Sequence, residues 1–412
     1  MTDAVQAAVD QCVELVSRTL TTQRPLRILV LGDPSARLCR SAAAMGHRVQ
    51  CCHDLQQYPG AGSLHVDVLC ERATDLLGRA LEIDLVIAVD GWARLLSTNT
   101  PGARTLIIEW MRQHASISLI EAPRRVLAPD LNDLGPFEVS AYLGDYRYLA
   151  EPVFVEGGGG LDTPLVLASD RWLLVEGEWI ADDDIAWLGD PPKALQEKPV
   201  RTFRVPGDRI VKVECTSEDY FERTQVVGEW SFLDGAPDAM RVRLGLPRVH
   251  SLVRGRAVAT LVRDDVVGGS GDDLPVAVRL AGIIDVTGRY AEAGVFHNDV
   301  RPWNVVWDGN CPRLVDFTDA SLVDDDVRDL PQVLALAGTL AAIATAEIRG
   351  GEHFHLDVLA VAHRAGLVDR WPLQRQLGAP WDRVPNLRGM TKVAADLSAA
   401  AIMREVLAVT VG

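Results

Sequence analysis

The sequence carries no excess of positive charge, and this lack excludes several classes of partner. Its 412 residues include 41 lysines and arginines against 57 aspartates and glutamates, which gives a formal net charge of −16. A surface of that sign repels nucleic acid and anionic membranes at long range. We therefore expect no nucleic-acid partner, and an anionic ligand would have to use a local basic pocket.

Long apolar runs and paired cysteines are also missing. No segment approaches the roughly 20 apolar residues that cross a bilayer. Residues 1–20 form an amphipathic helical pattern without the basic start and apolar core of a signal peptide. The seven cysteines are odd in number and lack the repeated close pairs of a structural zinc module. These absences predict a soluble, cytoplasmic protein with no transmembrane segment.

The first third of the chain alternates short strands with helices. Four runs rich in Val, Ile and Leu occupy residues 27–32, 47–52, 84–90 and 116–122, with helical segments between them. Strands that are buried on both faces of a parallel sheet have this composition. The pattern predicts an α/β, doubly wound domain over residues 1–155.

The pattern changes beyond residue 155. Strand-like segments separated by turn residues predict an antiparallel meander, with one helix inserted at residues 218–236. From about residue 274 helices dominate, and residues 389–411 form an Ala-rich amphipathic helix. That last helix either closes its own domain or pairs with another subunit.

One short segment of the second half concentrates polar residues at diagnostic spacing. His297, Asp299 and Asn304 form an H-x-D-x-x-x-x-N motif, and Asp316 follows twelve residues after Asn304. Protein-kinase-like phosphotransferases have this catalytic loop and this metal-binding aspartate. We predict that Asp299 is the catalytic base, that His297 belongs to the same catalytic loop, and that Asn304 and Asp316 are magnesium ligands.

A kinase site also needs a lysine for the α- and β-phosphates of ATP and a helix glutamate that orients it. Lys212 lies on an apolar strand and is the natural candidate. On the following helix Glu222 and Glu229 are seven residues apart and share a face. We prefer Glu229 because the apolar residues Trp230 and Phe232 beside it indicate a buried position, and Glu222 stays an alternative.

The adenine of ATP needs backbone hydrogen bonds from a hinge between two lobes. Asp264, Asp265 and Val266 end a predicted strand and precede Gly268 and Gly269. This arrangement is typical of a strand that leaves a small lobe through a hinge. An ordinary hairpin exit is the alternative.

Arg301 lies two residues after Asp299. A guanidinium at this position can neutralise charge on the transferred phosphoryl group, so we predict a catalytic role for Arg301. A surface salt bridge with one of the acidic residues 324–326 is the alternative.

Several kinase features are absent from the sequence. No G-x-G-x-x-G motif precedes Lys212, and no A-P-E motif follows Asp316. Thr318 stands where the D-F-G motif has glycine, which removes backbone freedom. Because a helix begins within a few residues, there is no room for a long activation loop, and we expect no regulation by phosphorylation there.

Four segments carry a family resemblance: HNDVRPWNVV, LVDFTDA, TLVRDD and PLVLASDRWLLVEGEW. They resemble the kinase half of the bifunctional methyltransferase–kinases that terminate bacterial O-antigen polysaccharides and, more distantly, the lipopolysaccharide core heptose kinases. The resemblance covers roughly residues 160–340. It implies a methyltransferase-like (Rossmann-like) domain before an α+β bilobal protein-kinase-like domain, with the roles predicted above for Asp299, Asn304, Asp316 and Lys212. The expected domains are 1–155, methyltransferase-like; 156–273, small lobe with preceding hairpin and hinge; and 274–412, helical large lobe.

The methyltransferase-like part departs from its pattern. Such domains need a glycine-rich turn after the first strand and an acid at the end of the second strand. Here Gly32 is followed by Asp33 and Pro34, and Asp54 comes a residue late. Proline fixes the turn and removes an N–H where the cofactor needs close backbone approach. We expect a degenerate domain that binds S-adenosylmethionine poorly or not at all.

These observations favour an ATP- and Mg²⁺-dependent kinase that phosphorylates a hydroxyl of a sugar, glycoside or other small molecule. One alternative is a bifunctional enzyme that also methylates a saccharide end. Another is a non-catalytic pseudokinase scaffold. A protein kinase ranks lower because the sequence contains no activation segment.

Overall fold

The computed structural model divides into two compact units, residues 1–226 with 250–263 and residues 227–249 with 264–412. The residues that it describes are 3–20, 24–31, 37–52, 70–71, 82–89, 101–121, 143, 146–152, 164–188, 200–215, 225–255, 257–297, 299–318 and 320–322.

The first unit contains a seven-stranded sheet with the strand order β3-β2-β1-β4-β5-β7-β6. The pairs β1–β2, β2–β3, β1–β4 and β4–β5 are parallel, whereas β7 is antiparallel to both β5 and β6. The strand order reverses between β1 and β4, the point at which open α/β sheets bind ligands. The elements are α1 (Asp3–Leu20), β1 (Arg27–Leu31), α2 (Arg37–Ala44), β2 (Arg48–Cys52), β3 (Cys70–Glu71), β4 (Ile83–Ala88), α3 (Pro101–His114), β5 (Ala115–Glu121), β6 (Tyr148–Ala150) and β7 (Leu165–Ser169).

The apolar strands form because both faces of this sheet are covered. In β1, Ile28 and Val30 belong to a core that also contains α1 and α2, whereas Leu29 and Leu31 belong to a second core on the opposite face. All six residues of β4 are buried. The predicted parallel pairing of β1, β2, β4 and β5 is confirmed, within a mixed sheet that is consistent with a multidomain α/β fold.

A second, antiparallel sheet follows in the chain and shares one of these cores. Its strand order is β10-β11-β12-β14-β13. Tyr148 of the first sheet packs in one hydrophobic cluster with Phe203, Val211 and Val262 of the second sheet. The elements are β8 (Trp172–Val175), β9 (Glu178–Ala181), β10 (Ala186–Trp187), β11 (Val200–Val205), β12 (Arg209–Cys215), β13 (Val249–Arg254) and β14 (Val258–Asp264), and β8–β9 is a separate hairpin.

The core shared by the two sheets contains residues from both sides of the expected domain boundary at residue 155. Residues 153–163, around the expected boundary at 155, lie outside the described residues. The three-part division at 155 and 273 stays a prediction. Within the first unit, the two sheets are packed against each other through a continuous apolar cluster.

Polar contacts join the same two sheets. The buried Arg201 of β11 donates through Nη1 to the backbone carbonyls of Tyr146 and Arg147, the latter at 2.6 Å. The Glu151 carboxylate accepts hydrogen bonds from the N–H groups of Ala257 at 2.7 Å and Val258 at 3.2 Å. Buried polar groups need such partners. These hydrogen bonds therefore fix how the two sheets are packed against each other.

The second unit carries the predicted catalytic segment. A hairpin pairs Val305 with Leu314 and Asp308 with Cys311, so the predicted hairpin is confirmed. The predicted helix at 218–236 is found at residues 225–235, and the predicted helix at 389–411 lies outside the described residues. The elements are α4 (Gln225–Gly235), α5 (Asp238–Leu244), α6 (Val276–Glu292), β15 (Val295–Phe296), β16 (Val305–Asp308), β17 (Cys311–Leu314) and β18 (Ser321–Leu322), with a 3₁₀ turn at Pro302–Asn304.

Two further expectations concern membranes and disulfides. None of the described helices combines the length and the apolarity of a membrane-crossing segment. The described cysteines Cys12, Cys39, Cys51, Cys215 and Cys311 form no disulfide.

Replacing Arg201 tests the contact between the two sheets. Arg201→Met keeps an unbranched apolar stem but leaves two buried carbonyls without their donor, so we expect the free energy of unfolding to fall by about 1–3 kcal/mol. The matched control is Arg204→Met on the same strand, where the side chain is exposed; its effect should stay within about 0.5 kcal/mol. Equal unfolding curves for both variants would contradict the interpretation.

Candidate functional site

The site is organised by Asn304 at the end of the 3₁₀ turn. Its Nδ2 donates to the Asp299 carboxylate oxygen Oδ2 at 2.8 Å and to the Asp299 carbonyl at 2.9 Å. Its backbone N–H donates to the Arg301 carbonyl at 2.9 Å. Because Asn304 is only 3% exposed, the orientation of its amide is fixed. The amide oxygen, which these bonds do not use, is the atom that could bind a cation.

Arg301 lies against the same carboxylate. Its Nε forms an ion pair with Oδ1 of Asp299, and its guanidinium lies over the ring of Trp303, 5.5 Å from the centroid. The alternative partners of Arg301, residues 324–326, lie outside the described residues. Trp303 is 48% exposed. Asp299, the predicted base, is therefore contacted from two sides. The exposed Trp303, whose ring contacts Arg301, is a residue that we did not single out from the sequence.

The hairpin β16–β17 brings Asp316 to this loop. The N–H of Val315 donates to the Asn304 carbonyl at 3.0 Å, so Asp316 follows directly after a residue paired with Asn304. The ring Nε2 of the fully buried His297 lies 3.0 Å from the Val315 carbonyl. Three of the predicted residues, His297, Asn304 and Asp316, are thus linked through the backbone around Val315.

Asp316 has a left-handed backbone conformation, with φ of 65°. The next residue, Phe317, is completely buried. Its ring stacks on Phe232 of α4 with centroids 5.5 Å apart, lies parallel to Tyr290 at 6.2 Å, and meets His297 edge-on at 5.1 Å. Burial raises the pKa of Tyr290 well above its usual range. This aromatic cluster holds the backbone around Asp316, because a rare φ persists only where its surroundings impose it.

Lys212 lies in the first unit, on β12, opposite Thr202 of β11. Glu214, two residues further, shares its face of the strand. Both side chains are buried. Glu214 accepts a hydrogen bond from the N–H of Val226 at 2.9 Å. Burial raises the pKa of Glu214, and the backbone hydrogen bonds from Val226 and Gln225 and the nearby charge of Lys212 oppose this rise.

Glu214 is a residue that our reading of the sequence missed. The signal was present as the pattern Lys-x-Glu on an otherwise apolar strand, which puts two charges on one face.

The remaining predicted site residues lie in the second unit. Glu229 of α4 is 0% exposed, whereas Glu222 lies outside the described residues. The pairing of Lys212 with Glu229 stays a prediction. At the proposed hinge, the N–H of Asp264 donates to the Arg248 carbonyl at 2.9 Å. This N–H is therefore paired with another part of the backbone. Asp265 and Val266 follow it directly in the chain.

Trp307 anchors the catalytic hairpin to the segment after the hinge. Its backbone exchanges two hydrogen bonds of 2.9 Å with Gly269. A Cβ on Gly268 would lie 2.5 Å from the Trp307 carbonyl oxygen, and one on Gly271 or Gly282 would lie 2.4 Å or 2.7 Å from the Trp307 ring. These three glycines are required by close packing, a contact that the sequence pattern does not reveal.

The donor set at Asn304 and Asp316 fits Mg²⁺, because a carboxylate and an amide oxygen are hard ligands that this ion prefers. Among the residues that the structure describes, no group of three or more His, Cys, Asp or Glu side chains forms a metal site. A magnesium ion bound here would therefore depend on phosphate oxygens and water for its other ligands. That is the usual arrangement in nucleotide-dependent enzymes.

Two glycines of α6 test the packing of Trp307. Gly288→Ala meets nothing within 4 Å and should stabilise the protein by about 0.5–1 kcal/mol, because alanine favours helices. Gly282→Ala on the same helix would clash with the Trp307 ring and should destabilise it by about 1–3 kcal/mol. Thermal unfolding of both variants measures the difference. Stabilisation by both substitutions would contradict the packing of Trp307.

Comparisons with known proteins agree with this architecture. No protein-family model matches the chain, and no curated protein matches it significantly. A crystal structure of WbdD is 16% identical, with a TM-score of 0.60 over 100% of this chain and 93% of that chain. A structure described as the bifunctional kinase-methyltransferase WbdD has 16% identity and a TM-score of 0.56 over 96% and 88% of the two chains. A co-crystal structure of WbdD with the kinase inhibitor LY294002 has a TM-score of 0.57 at 16% identity over the same shares. The chain is therefore similar in fold to WbdD, which is described as a bifunctional kinase-methyltransferase.

Proposed function

We propose that the protein is an ATP- and Mg²⁺-dependent kinase that transfers the γ-phosphoryl group to a hydroxyl of a sugar, glycoside or other small molecule. The observation that carries the proposal is the pair of hydrogen bonds from the Asn304 amide to Asp299. They join a carboxylate to an amide, and the backbone hydrogen bond from Val315 to Asn304 connects this pair to the residue before Asp316. Phosphoryl transfer needs this combination of a base and two oxygen ligands.

Asp299 is the base in this proposal. Its carboxylate accepts the proton of the acceptor hydroxyl while that oxygen bonds to the γ-phosphorus, and the bond from phosphorus to the leaving oxygen of ADP breaks. Arg301, which pairs with Asp299, lies close enough to the base to neutralise charge on the transferred group. His297 supports the loop through its contact with the Val315 carbonyl.

The remaining roles in the proposal concern the nucleotide. Asn304 and Asp316 are the proposed ligands of Mg²⁺, which would neutralise charge on the phosphates when bound. Lys212 is the proposed contact for the α- and β-phosphates, oriented by Glu229, and the backbone at 264–266 is the proposed hinge for adenine. The likeness to WbdD, which is described as a bifunctional kinase-methyltransferase and was co-crystallised with a kinase inhibitor, supports a kinase in general.

An exposed aromatic ring supports a saccharide or related acceptor. Trp303 lies four residues after the proposed base, and about half of its surface is open to solvent. An exposed aromatic ring that is close in the chain to the proposed base suits a ligand that has both apolar C–H groups and hydroxyls, as a sugar ring does. The proposal therefore favours a ring-containing alcohol over a protein side chain.

Two aspartate substitutions separate the roles in the proposed site. Asp299→Asn should lower phosphoryl transfer by about 10²–10⁴ while nucleotide affinity stays nearly unchanged, since the base touches no phosphate. Asp316→Asn should instead weaken Mg·ATP binding, because it removes a charge from the metal's ligands. ATP turnover and calorimetric nucleotide affinity measure the two effects.

The control for both substitutions is Asp308→Asn at an exposed position of the hairpin β16–β17. It should change neither ATP turnover nor nucleotide affinity. Equal loss of nucleotide affinity in the Asp299 and Asp316 variants would assign Asp299 to the metal or to structural support. Unchanged turnover in both would exclude the kinase.

The bifunctional alternative has its own test. The fold shared with WbdD, described as a bifunctional kinase-methyltransferase, favours a second activity, whereas Pro34 after the first strand opposes it. We expect calorimetry with S-adenosylmethionine to give no binding, or binding weaker than millimolar. Micromolar affinity would support the bifunctional enzyme instead.

A further inference from the structure

Thr318 makes a contact with the proposed metal ligand that a glycine at this position could not make. Its Oγ1 lies 2.7 Å from Oδ1 of Asp316. A carboxylate accepts and does not donate, so the threonine hydroxyl is the donor. A hydrogen bond to an ionised acceptor is stronger than one between neutral groups. The bond limits the rotation of the Asp316 carboxylate.

This hydrogen bond is compatible with metal binding. The two oxygens of a carboxylate offer about four lone-pair positions, and a hydroxyl donor takes one. Metal-bound carboxylates are commonly oriented by such a second hydrogen bond, and its loss lowers metal affinity.

The threonine itself is held in place. A Cβ on Gly228 of α4 would lie only 3.0 Å from the Thr318 carbonyl oxygen, so the helix packs directly on this backbone. The N–H of Ala320 donates to the Phe317 carbonyl at 3.2 Å and closes a turn around Thr318. The threonine side chain is also β-branched, which restricts its χ1 angle. The hydroxyl is therefore presented to Asp316 from a fixed position.

We propose that Thr318 is a positioning residue that holds the Asp316 carboxylate in its metal-binding orientation. The inference rests on the proposed function, because it assigns Thr318 a task only if Asp316 binds the magnesium ion of a nucleotide. Glycine at this position would leave the carboxylate free to rotate and the backbone free to change conformation.

The test is the affinity of the full-length protein for Mn²⁺ in the presence of ADP, measured by electron paramagnetic resonance of the free ion. Thr318→Val replaces the hydroxyl by a methyl group of similar size and should weaken Mn²⁺ binding about tenfold or more. Thr318→Ser keeps the hydroxyl and should restore affinity to within about threefold. If the valine variant fails to fold, Thr318→Ala provides the same loss of the hydroxyl without added bulk.

Thr287→Val is the matched control. Thr287 is fully buried in α6 and donates to the Ile283 carbonyl within its own helix, so this substitution should leave Mn²⁺ affinity unchanged. A loss of affinity in Thr318→Val at an unchanged melting temperature, reversed by serine, would support a positioning role over a structural one.

Asp316→Asn separates this inference from the proposed function. If Asp316→Asn abolishes Mn²⁺ binding and Thr318→Val leaves it unchanged, the positioning role is wrong and the metal site stands. If Asp316→Asn has no effect on Mn²⁺ affinity, the metal assignment fails, and the role of Thr318 fails with it.

Discussion

The hydrogen bonds from the Asn304 amide to Asp299 are the constraint on which the rest of the site depends. They fix the amide so that its oxygen points away from Asp299, and they fix the carboxylate that Arg301 contacts from its other oxygen. The same residue pairs through its carbonyl with Val315 and so sets the position of Asp316. A single buried asparagine thus links the proposed base and the proposed metal ligand. The side chain of Asn304 holds Asp299, and the backbone of Asn304 holds the residue before Asp316.

The packing around this constraint explains how the positive φ of Asp316 is maintained. Asp316 has a positive φ without being glycine, which costs on the order of 1 kcal/mol. Phe317 offsets this cost because its ring is buried between Phe232 and Tyr290. The close approach of Gly228 to Thr318 adds a backbone contact from the same helix as Phe232. The segment after residue 322, on which the expectation of no long activation loop rests, lies outside the described residues.

The elements defined by local pattern were predictable from the sequence, and those defined by distant contacts were not. The parallel strands and the hairpin after Asn304 follow from apolar runs and a turn signal. By contrast, the bond from Thr318 to Asp316 and the glycine packing around Trp307 depend on side chains and helices that meet only in the folded chain. The core shared by the two sheets of the first unit could not be predicted from periodicity either. An apolar pattern shows that a face is buried, but not which element covers it. The roles of the site residues stay predictions.

The burial of charged residues bears on the proposed function. Lys212, Glu214 and Glu229 are 4%, 6% and 0% exposed, and the described residues include other buried charged side chains such as Asp84 and Arg263. Removing ionised groups from water costs several kcal/mol each unless partners compensate, and apolar residues of similar size would commonly be more stable. In the proposed kinase, the buried Lys212 would contact phosphate, because a group that is fixed in place binds without first reorganising. The cost in stability is therefore understandable as a requirement of the proposed phosphoryl transfer.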